Sequence, residues 1–215
     1  MPAKQQRSDR SEARPVRRLR RAERRDQLLA AATRAFAGAG FAATSLDDVA
    51  TAAGISRVLL YRHFESKADL YRAVLDRAVA RLADQVGTGD YSGASIDALL
   101  RAAADDPDGF RLLFHHAARE PEFRAEMDRF HAGMVELAHR QLTALIPDPA
   151  WARWAAQLSP VVAIEAVTAW LDAGQPDPDH AADRVRQALA GVIDAAQPRR
   201  HRPSTAPGPS EADAP

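Results

Sequence analysis

Apolar side chains recur along this chain at spacings of three and four residues, and the alternation typical of strands is absent. That spacing is the helical period, so the pattern predicts an all-α fold. Gly and Pro divide the pattern into segments, because Pro suits the first position of a helix and Gly the position just past its end. Pro160 should kink or split the helix that contains it, since it lacks an amide hydrogen. The predicted helices are 21–38, 45–53, 56–64, 67–87, 94–104, 107–117, 121–145, 149–173 and 178–196.

The two ends of the chain differ from this helical part. Residues 1–20 are polar and rich in Arg, and residues 198–215 repeat Pro, Ser and Ala, so neither can bury enough apolar surface to fold. We expect a disordered basic arm at the start and a disordered tail at the end. Between them, three helices over 21–66 form one predicted domain, and the helices over 67–197 form a second.

Basic residues concentrate near the start of the chain, although the formal net charge is zero. Residues 1–64 hold 13 Lys and Arg against 6 Asp and Glu, whereas residues 65–215 hold 16 against 23. Such an asymmetry indicates a polyanion-binding end joined to a different body. A basic disordered tail on an acidic domain would give the same charges, and charge alone leaves both interpretations open.

The composition disfavours several classes of protein. The chain has no cysteine, which excludes disulfides and thiolate metal sites and suits a reducing cytoplasm. No apolar run approaches the ~18–20 residues of a membrane helix, since the best one, 161–164, ends at Glu165. The apolar stretch after the basic N-terminus is interrupted by Asp26, so a secretory signal is not expected. We therefore expect a cytoplasmic protein with no membrane partner.

Residues 44–64 carry the pattern of a helix-turn-helix. Ser45 is a good N-cap with Asp48 three residues on, Gly54 lies in the turn, and Ser56 caps the next helix. In that motif the second helix enters the major groove of DNA, where its side chains contact phosphates and base edges. An ordinary helical hairpin would show similar spacing. The outward residues of the second helix are predicted to be Ser56, Arg57, Val58, Leu59, Tyr61, Arg62 and His63.

Four stretches of this region together resemble the tetracycline-repressor family of transcriptional regulators. They are GFAATSLDDVA at 40–50, AGIS at 53–56, LYRHF at 60–64 and SK at 66–67. The resemblance extends over residues 21–80. It implies an N-terminal three-helix DNA-binding domain followed by a helical ligand-binding and dimerisation domain.

The resemblance also implies roles for individual residues of the motif. Arg57, with Ser56 beside it, would contact base edges, and Arg62 would face either DNA or a neighbouring helix. Val58 and Leu59 depart from the family, which commonly has a small residue followed by Thr or Ser there, and this leaves the operator sequence open. Part of the Arg-rich arm would contact phosphates or the minor groove, although a solvated face would have the same composition. Phosphate contacts are implied for Thr44, Ser45, Tyr61, His63 and Lys67. Tyr61 could instead be half-buried with only its hydroxyl exposed, and His63 could be an ordinary surface residue.

The C-terminal part is expected to contain an apolar pocket. Large apolar side chains fall at helical spacings in two adjacent segments and together could line a cavity, although core packing is the alternative for each one alone. No His pair has the i, i+4 spacing with a nearby carboxylate that a metal site needs, so we expect neither a metal nor another cofactor. His115 or His116 is a candidate polar group of the pocket. The predicted pocket residues are Phe110, Leu113, Phe114, Phe123, Met127, Phe130 and Met134.

By the same resemblance, the last two predicted helices would pair with those of a second copy in a four-helix bundle. Intrachain core is the alternative for their apolar residues. A twofold dimer would place two recognition helices one DNA turn, ~34 Å, apart. The predicted interface residues are Val162, Ala166, Trp170, Val185, Leu189 and Val192.

The sequence as a whole indicates a ligand-responsive transcriptional regulator. We expect a homodimeric repressor that binds a palindromic operator in double-stranded DNA and is released by a small apolar effector. A nonspecific architectural DNA-binding protein is the main alternative, because it would share the basic arm and the helix-turn-helix. An enzyme using Glu120, Asp128 or a histidine is disfavoured, because the sequence lacks a phosphate-binding loop, a nucleophile elbow and metal-ligand spacing.

Overall fold

The structure is a computed structural model that describes residues 21–87 and 93–198. Within those ranges every regular element is a helix, which confirms the all-α prediction. The predicted arm at 1–20 lies outside the described residues, as does the tail from 199 onward. The α-helices are α1 Arg21–Ala43, α2 Leu46–Ala53, α3 Arg57–Tyr61, α4 Lys67–Val86, α5 Gly93–Asp105, α6 Pro107–Arg111, α7 Arg124–Leu142, α8 Pro149–Asp172 and α9 Ala181–Ala196.

Local sequence signals account for the boundaries of the first two helices. The pattern predicts that α1 stops at Gly38 or Gly40; the chain continues as helix beyond them but loses helical geometry at Gly40, where φ is 79°. α2 begins with a capping box, in which the Asp48 amide donates to Ser45 Oγ at 3.1 Å and the Ser45 amide donates to Asp48 Oδ2 at 2.8 Å. It ends at Gly54, whose φ of 64° is readily accessible only to glycine.

α3 is shorter than the sequence predicts. It holds five residues and its C-cap is Arg62, whereas the pattern extends the helix to Phe64. After the cap the chain forms a tighter turn, in which the His63 amide donates to the Leu60 carbonyl, three residues back, at 2.9 Å. A helix this short is not stable alone, so the burial of Leu60 and Phe64 against neighbouring helices holds it in place.

A π-helical turn interrupts the single helix predicted over 107–117. α6 ends after five residues, Leu112–His116 form a π-helix, and a short 3₁₀ helix follows. In the π-helix the Ala117 amide reaches back five residues to the Leu112 carbonyl. Such turns are uncommon, and hydrophobic periodicity alone gives no sign of one.

α8 passes through Pro160 as one helix, so the predicted split does not occur. Pro160 is itself buried, and α5, α7 and α9 pack against α8. By length and composition alone α8 could cross a membrane, which corrects the expectation that no apolar segment is long enough. Of that apolar window, 44% is buried inside the protein, and helices from protein cores can have the same length and apolar composition.

Three clusters of buried side chains form the core. The first contains residues of α1, α2, α3 and α4 together with the π-helix and Phe123, so it crosses the predicted domain boundary at residue 66. The second lies between α5, α6, α8 and α9, and the third between α7, α8 and α9. The N-terminal helices are therefore packed directly onto the C-terminal part of the chain.

Aromatic rings form the centre of the first core cluster. Tyr71 packs edge-on against Phe36 with ring centroids 4.9 Å apart, and the Phe123 centroid lies 4.5 Å from that of Tyr71. Phe41 contacts both Tyr71 and Phe123. The Tyr71 hydroxyl is buried without a hydrogen-bond partner among the described residues, and this burial raises the pKa of Tyr71 well above its ordinary value.

Replacing Tyr71 with Phe should raise the free energy of unfolding by about 1 kcal/mol, because a desolvated hydroxyl is removed while the ring packing stays. Urea denaturation followed by circular dichroism measures the change. Tyr61→Phe is the matched control: Tyr61 is 44% exposed, so losing its hydroxyl should change stability by less than about 0.5 kcal/mol. A clear loss of stability in Tyr71→Phe would show that the Tyr71 hydroxyl is hydrogen-bonded after all.

Candidate nucleic-acid interface and ligand cavity

α3 presents most of its side chains to solvent. Val58 is 72% exposed, although an apolar side chain of this size is usually buried. Exposed polar and basic groups on a helix held by its neighbours suit contacts with phosphates and base edges, and an exposed Val58 suits contact with a thymine methyl. Of the outward residues predicted for this helix, Ser56, Arg57, Val58, Tyr61 and Arg62 are exposed, and Leu59 and His63 are half-buried.

Arg57 is held at both terminal nitrogens of its guanidinium. Nη1 donates to Asp47 Oδ2 at 2.9 Å, and Nη2 donates to Tyr61 Oη at 3.3 Å. The guanidinium carbon also lies 5.5 Å from the centroid of the Tyr61 ring. The hydrogen bond to Tyr61 and the charge of Asp47 raise the pKa of Arg57. The residue predicted to read bases is thus oriented by an aspartate that sequence reasoning did not single out.

Thr44 and Ser45, at the start of α2, are both predicted to contact phosphate, but their environments in the structure differ. Thr44 is 2% exposed and its hydroxyl donates to the Gly40 carbonyl at 2.7 Å, so Thr44 binds the end of α1 and does not fit a phosphate contact. Ser45 is exposed, and its hydroxyl and amide both donate to the Asp48 carboxylate. Those two hydrogen bonds lower the pKa of Asp48. A phosphate contact of Ser45 stays a prediction.

Lys67 makes different contacts from the predicted one. Its Nζ donates to the carbonyls of Phe41 and Ala42, at 2.8 and 3.2 Å, and lies 4.5 Å from the Phe41 ring centroid. A cation there compensates terminal helix carbonyls that have no intrahelical partner. Lys67 therefore ties the start of α4 to the end of α1, and its ammonium is engaged within the protein.

A cavity of about 420 Å³ lies between α4, α5, α7 and α8; we call it the larger cavity. Its walls are mostly apolar, and Arg129 is the charged side chain among its lining residues. Three of the predicted pocket residues, Phe114, Phe130 and Met134, line it. Periodicity cannot distinguish the remaining wall residues from ordinary core positions, because spacing shows a shared face but not what that face meets. They include Val79, Leu82, Val86, Ile96, Leu99 and Ile164.

The other four predicted pocket residues lie elsewhere, which corrects the sequence prediction. Phe110 and Leu113 line a second cavity, of about 360 Å³, between α4, α5 and α6. Phe123 is fully buried in the first core cluster, and Met127 packs against that cluster. Phe123 contacts Phe41 of α1 and Tyr71 of α4, so the segment that leads into α7 lies beside the N-terminal helices before α7 reaches the larger cavity.

The predicted dimer-interface residues divide between core and partly exposed surface. Val185 and Val192 are buried in the second and third core clusters, so they are corrected to intrachain core. Large apolar side chains are instead exposed along α8, at Trp151, Trp154 and Val161. The remaining predicted residues, Val162, Ala166, Trp170 and Leu189, are partly buried and pack against the same two clusters.

A histidine links the π-helix to α8. His115 Nε2 lies 2.9 Å from Thr168 Oγ1 and 3.9 Å from Glu165 Oε1. Neither His115 nor His116 lines either cavity, which corrects their candidacy as polar pocket groups. In the part of the chain that the structure describes, no group of three or more His, Asp or Glu side chains is arranged to hold a metal ion.

Known regulatory proteins match the N-terminal elements described above. Residues 28–74 match the family model for bacterial regulatory proteins of the tetR family. The HTH-type transcriptional activator FasR of Mycolicibacterium smegmatis is 39% identical over 119 residues, which are 51% of this chain and 54% of that protein. The chain thus aligns with little more than half the length of this relative.

Solved structures extend the likeness to the C-terminal helices. A TetR-like transcriptional regulator from Rhodococcus sp. RHA1 has a TM-score of 0.72 at 23% identity, over 82% of this chain and 99% of that one. FadR from Bacillus subtilis, solved in complex with stearoyl-CoA, has a TM-score of 0.58 at 18% identity, over 79% of this chain and 97% of that one. At these identities the likeness shows the fold.

Proposed function

We propose that this chain is a dimeric transcriptional regulator of the tetR family that responds to a small molecule; the match of residues 28–74 to that family and the likeness to FasR support this. In finer terms, we propose a repressor that binds a palindromic operator through α3 and leaves it when an effector fills the larger cavity. The observation that carries this proposal is that one helix, α4, connects the helix-turn-helix to the larger cavity. That helix begins directly after the helix-turn-helix and lines the larger cavity further along.

The DNA-binding surface is proposed to be the exposed side of α3 with the start of α2. Arg57 and Arg62 supply exposed positive charge, and Tyr61 supplies a hydroxyl next to them. Ser45 and His63 are the proposed phosphate contacts at the two ends of the motif. A short helix with such groups, fixed by buried neighbours, suits the major groove.

The larger cavity is proposed as the effector site. Its volume of about 420 Å³ lies in the range of ~300–1,000 Å³ typical of small-molecule sites. The apolar walls favour an aliphatic or aromatic effector, and Arg129 favours one that carries an acidic group. The fold shared with FadR, a protein solved with stearoyl-CoA, supports an acyl compound as the first effector to test.

Coupling between the two sites is proposed to run through α4. Leu70 and Tyr71, near its start, are buried in the first core cluster with the helix-turn-helix. Val79, Leu82 and Val86, further along, line the larger cavity. An effector that binds better to one position of α4 than to another would therefore shift the orientation of α3.

A dimer is proposed through the outer surface of α8. Trp154 and Val161 are seven residues apart, and so lie on one side of the helix, and they are 40% and 42% exposed. Large apolar groups exposed on one side of a helix are typical of interaction surfaces. Twofold pairing there would present two copies of α3 to the same face of DNA.

Selection of bound DNA from a random-sequence library, using the full chain, tests the proposed function. We expect the selected sequences to contain two inverted half-sites about one DNA turn apart, bound by two copies of the chain. Competition with random DNA then gives the specificity ratio at a stated salt concentration. A protein that shows no preference over random DNA is the nonspecific architectural alternative.

Replacing Gly133 with Leu tests the effector site. Gly133 is exposed and lines the larger cavity, and a Cβ there would meet nothing within 4 Å, so Leu can be accommodated at the cavity wall without a clash and should favour the helix. We expect stearoyl-CoA to weaken operator binding by the wild type about tenfold or more, and to have little effect on Gly133→Leu. Ala132→Leu, an exposed neighbour on α7, is the control and should respond like the wild type. If stearoyl-CoA weakens operator binding by Gly133→Leu as much as it does for Ala132→Leu and the wild type, the larger cavity is excluded as the effector site.

A further inference from the structure

Asp47 is an exposed residue of α2 whose carboxylate contacts Arg57, the residue proposed to read bases. We infer that Asp47 is a specificity-determining positioning residue, which holds Arg57 for base contact and lowers its attraction to phosphates in general. This inference rests on the proposed DNA-binding function. Asp47 is in the first turn of α2, and its carboxylate crosses to α3 to meet Arg57 Nη1 at 2.9 Å.

The guanidinium of Arg57 is held by hydrogen bonds but remains exposed to solvent. Asp47 holds Nη1, Tyr61 holds Nη2 at 3.3 Å, and the Tyr61 ring lies beside the guanidinium carbon. The Arg57 side chain nevertheless stays 59% exposed, and that of Asp47 55% exposed. Each terminal nitrogen of a guanidinium has two hydrogens, so donors remain for a base after both contacts are made.

Contacts with base edges depend on the orientation of the Arg57 guanidinium, whereas contacts with phosphates depend on its charge. A bidentate contact with a base edge depends on the direction of the guanidinium plane, which Asp47 and Tyr61 set. A phosphate contact depends mainly on positive charge, which the neighbouring carboxylate offsets. Asp47 should therefore weaken binding to every DNA sequence while it increases the preference for the correct one. An exposed ion pair adds little to fold stability, so recognition is the property in which the pair should matter most.

Replacing Asp47 with Asn tests this role in the full-length protein. The variant keeps the size of the side chain and removes the charge. We expect affinity for random DNA to rise about threefold or more, and the ratio of operator to random affinity to fall by at least that factor. The dependence of log affinity on log salt should steepen by about one unit. Equal circular dichroism and thermal unfolding of the variant and the wild type would show that the fold is unchanged.

Two controls separate positioning from charge alone. Glu65→Gln removes one exposed negative charge from the same region, from a residue that makes no contact with Arg57 in the described structure. It should raise both affinities equally and leave their ratio unchanged. In an Arg57→Ala background, Asp47→Asn should no longer lower the ratio, because the group that it positions is gone.

The outcomes distinguish this inference from the function on which it rests. If wild-type protein prefers its operator and Asp47→Asn keeps the same ratio, or changes it only as Glu65→Gln does, Asp47 has no positioning role. If the wild type has no sequence preference, the proposed function fails and the role of Asp47 fails with it. A lower ratio in Asp47→Asn that disappears without Arg57 supports the inference.

Discussion

Replacing Phe123 with Ala should lower the free energy of unfolding by about 3–5 kcal/mol. Phe123 is fully buried, and its ring centroid lies 5.0 Å from that of Phe41 and 4.5 Å from that of Tyr71. The guanidinium carbon of Arg72 lies 5.2 Å from the same ring. These neighbours belong to α1 and α4, so the cavity left by Ala would loosen the N-terminal helices from the segment that leads into α7. Urea denaturation measures the loss.

Phe130→Ala is the matched control for this substitution. Phe130 is also a phenylalanine of this region, but it is only half-buried and lines the larger cavity. Its removal enlarges an existing space and exposes less new apolar surface, so the loss of stability should be clearly smaller. Equal losses in the two variants would mean that Phe123 is not an anchor between the two parts of the chain.

Replacing Arg57 with Ala should remove about 1–3 kcal/mol of discrimination at one base pair of each half-site. Arg57 is exposed on α3, and Asp47 and Tyr61 orient its guanidinium before DNA binds. The loss should therefore appear as reduced affinity for the selected operator and a smaller reduction for random DNA. Dissociation constants for the operator and for single-base variants, measured at one salt concentration, give the position that becomes degenerate.

Arg140→Ala is the charge-matched control for Arg57→Ala. Arg140 is exposed on α7, where it pairs with Glu136 at 3.5 Å. Its removal subtracts the same charge from a helix outside the proposed DNA-binding surface, so the preference among operator variants should not change. Unchanged discrimination in Arg57→Ala would exclude Arg57 from base reading. The same base-variant series would then be measured for Val58 and Arg62, which are also exposed on α3.

Features that depend on neighbours in sequence could be predicted from the sequence. The capping box of Ser45 with Asp48, the cap at Ser56 and the left-handed Gly54 all involve residues a few positions apart. The chemistry of each is therefore visible in the sequence itself. The end of α3 is harder to predict: the buried Phe64 continues the apolar spacing of Leu60, yet the helix ends at Tyr61.

Features that join distant segments could not be predicted in the same way. Helical spacing places Phe123 among other large apolar residues, but it does not reveal that Phe123 is fully buried against α1 and α4, whereas Phe130 packs only partly buried against the same cluster and also lines a cavity. Lys67 is assigned to DNA by resemblance, yet its ammonium binds carbonyls of α1. The contact between Asp47 and Arg57 joins two helices across a turn, and no spacing rule gives its geometry.

The π-helix at Leu112–His116 has a consequence for how sequences of this kind diverge. Leu112 is buried in the first core cluster, whereas Phe114, two residues on, lines the larger cavity. A π-helical turn contains one residue more than the surrounding helix requires, so loss of a single codon there would restore an ordinary helical turn. Each residue of an α-helix rotates the side-chain direction by about 100°, so such a deletion would change which side chains of this segment face the cavity. The preference of the proposed effector site could then change through one codon while the exposed residues of α3, which are proposed to contact DNA, stay the same.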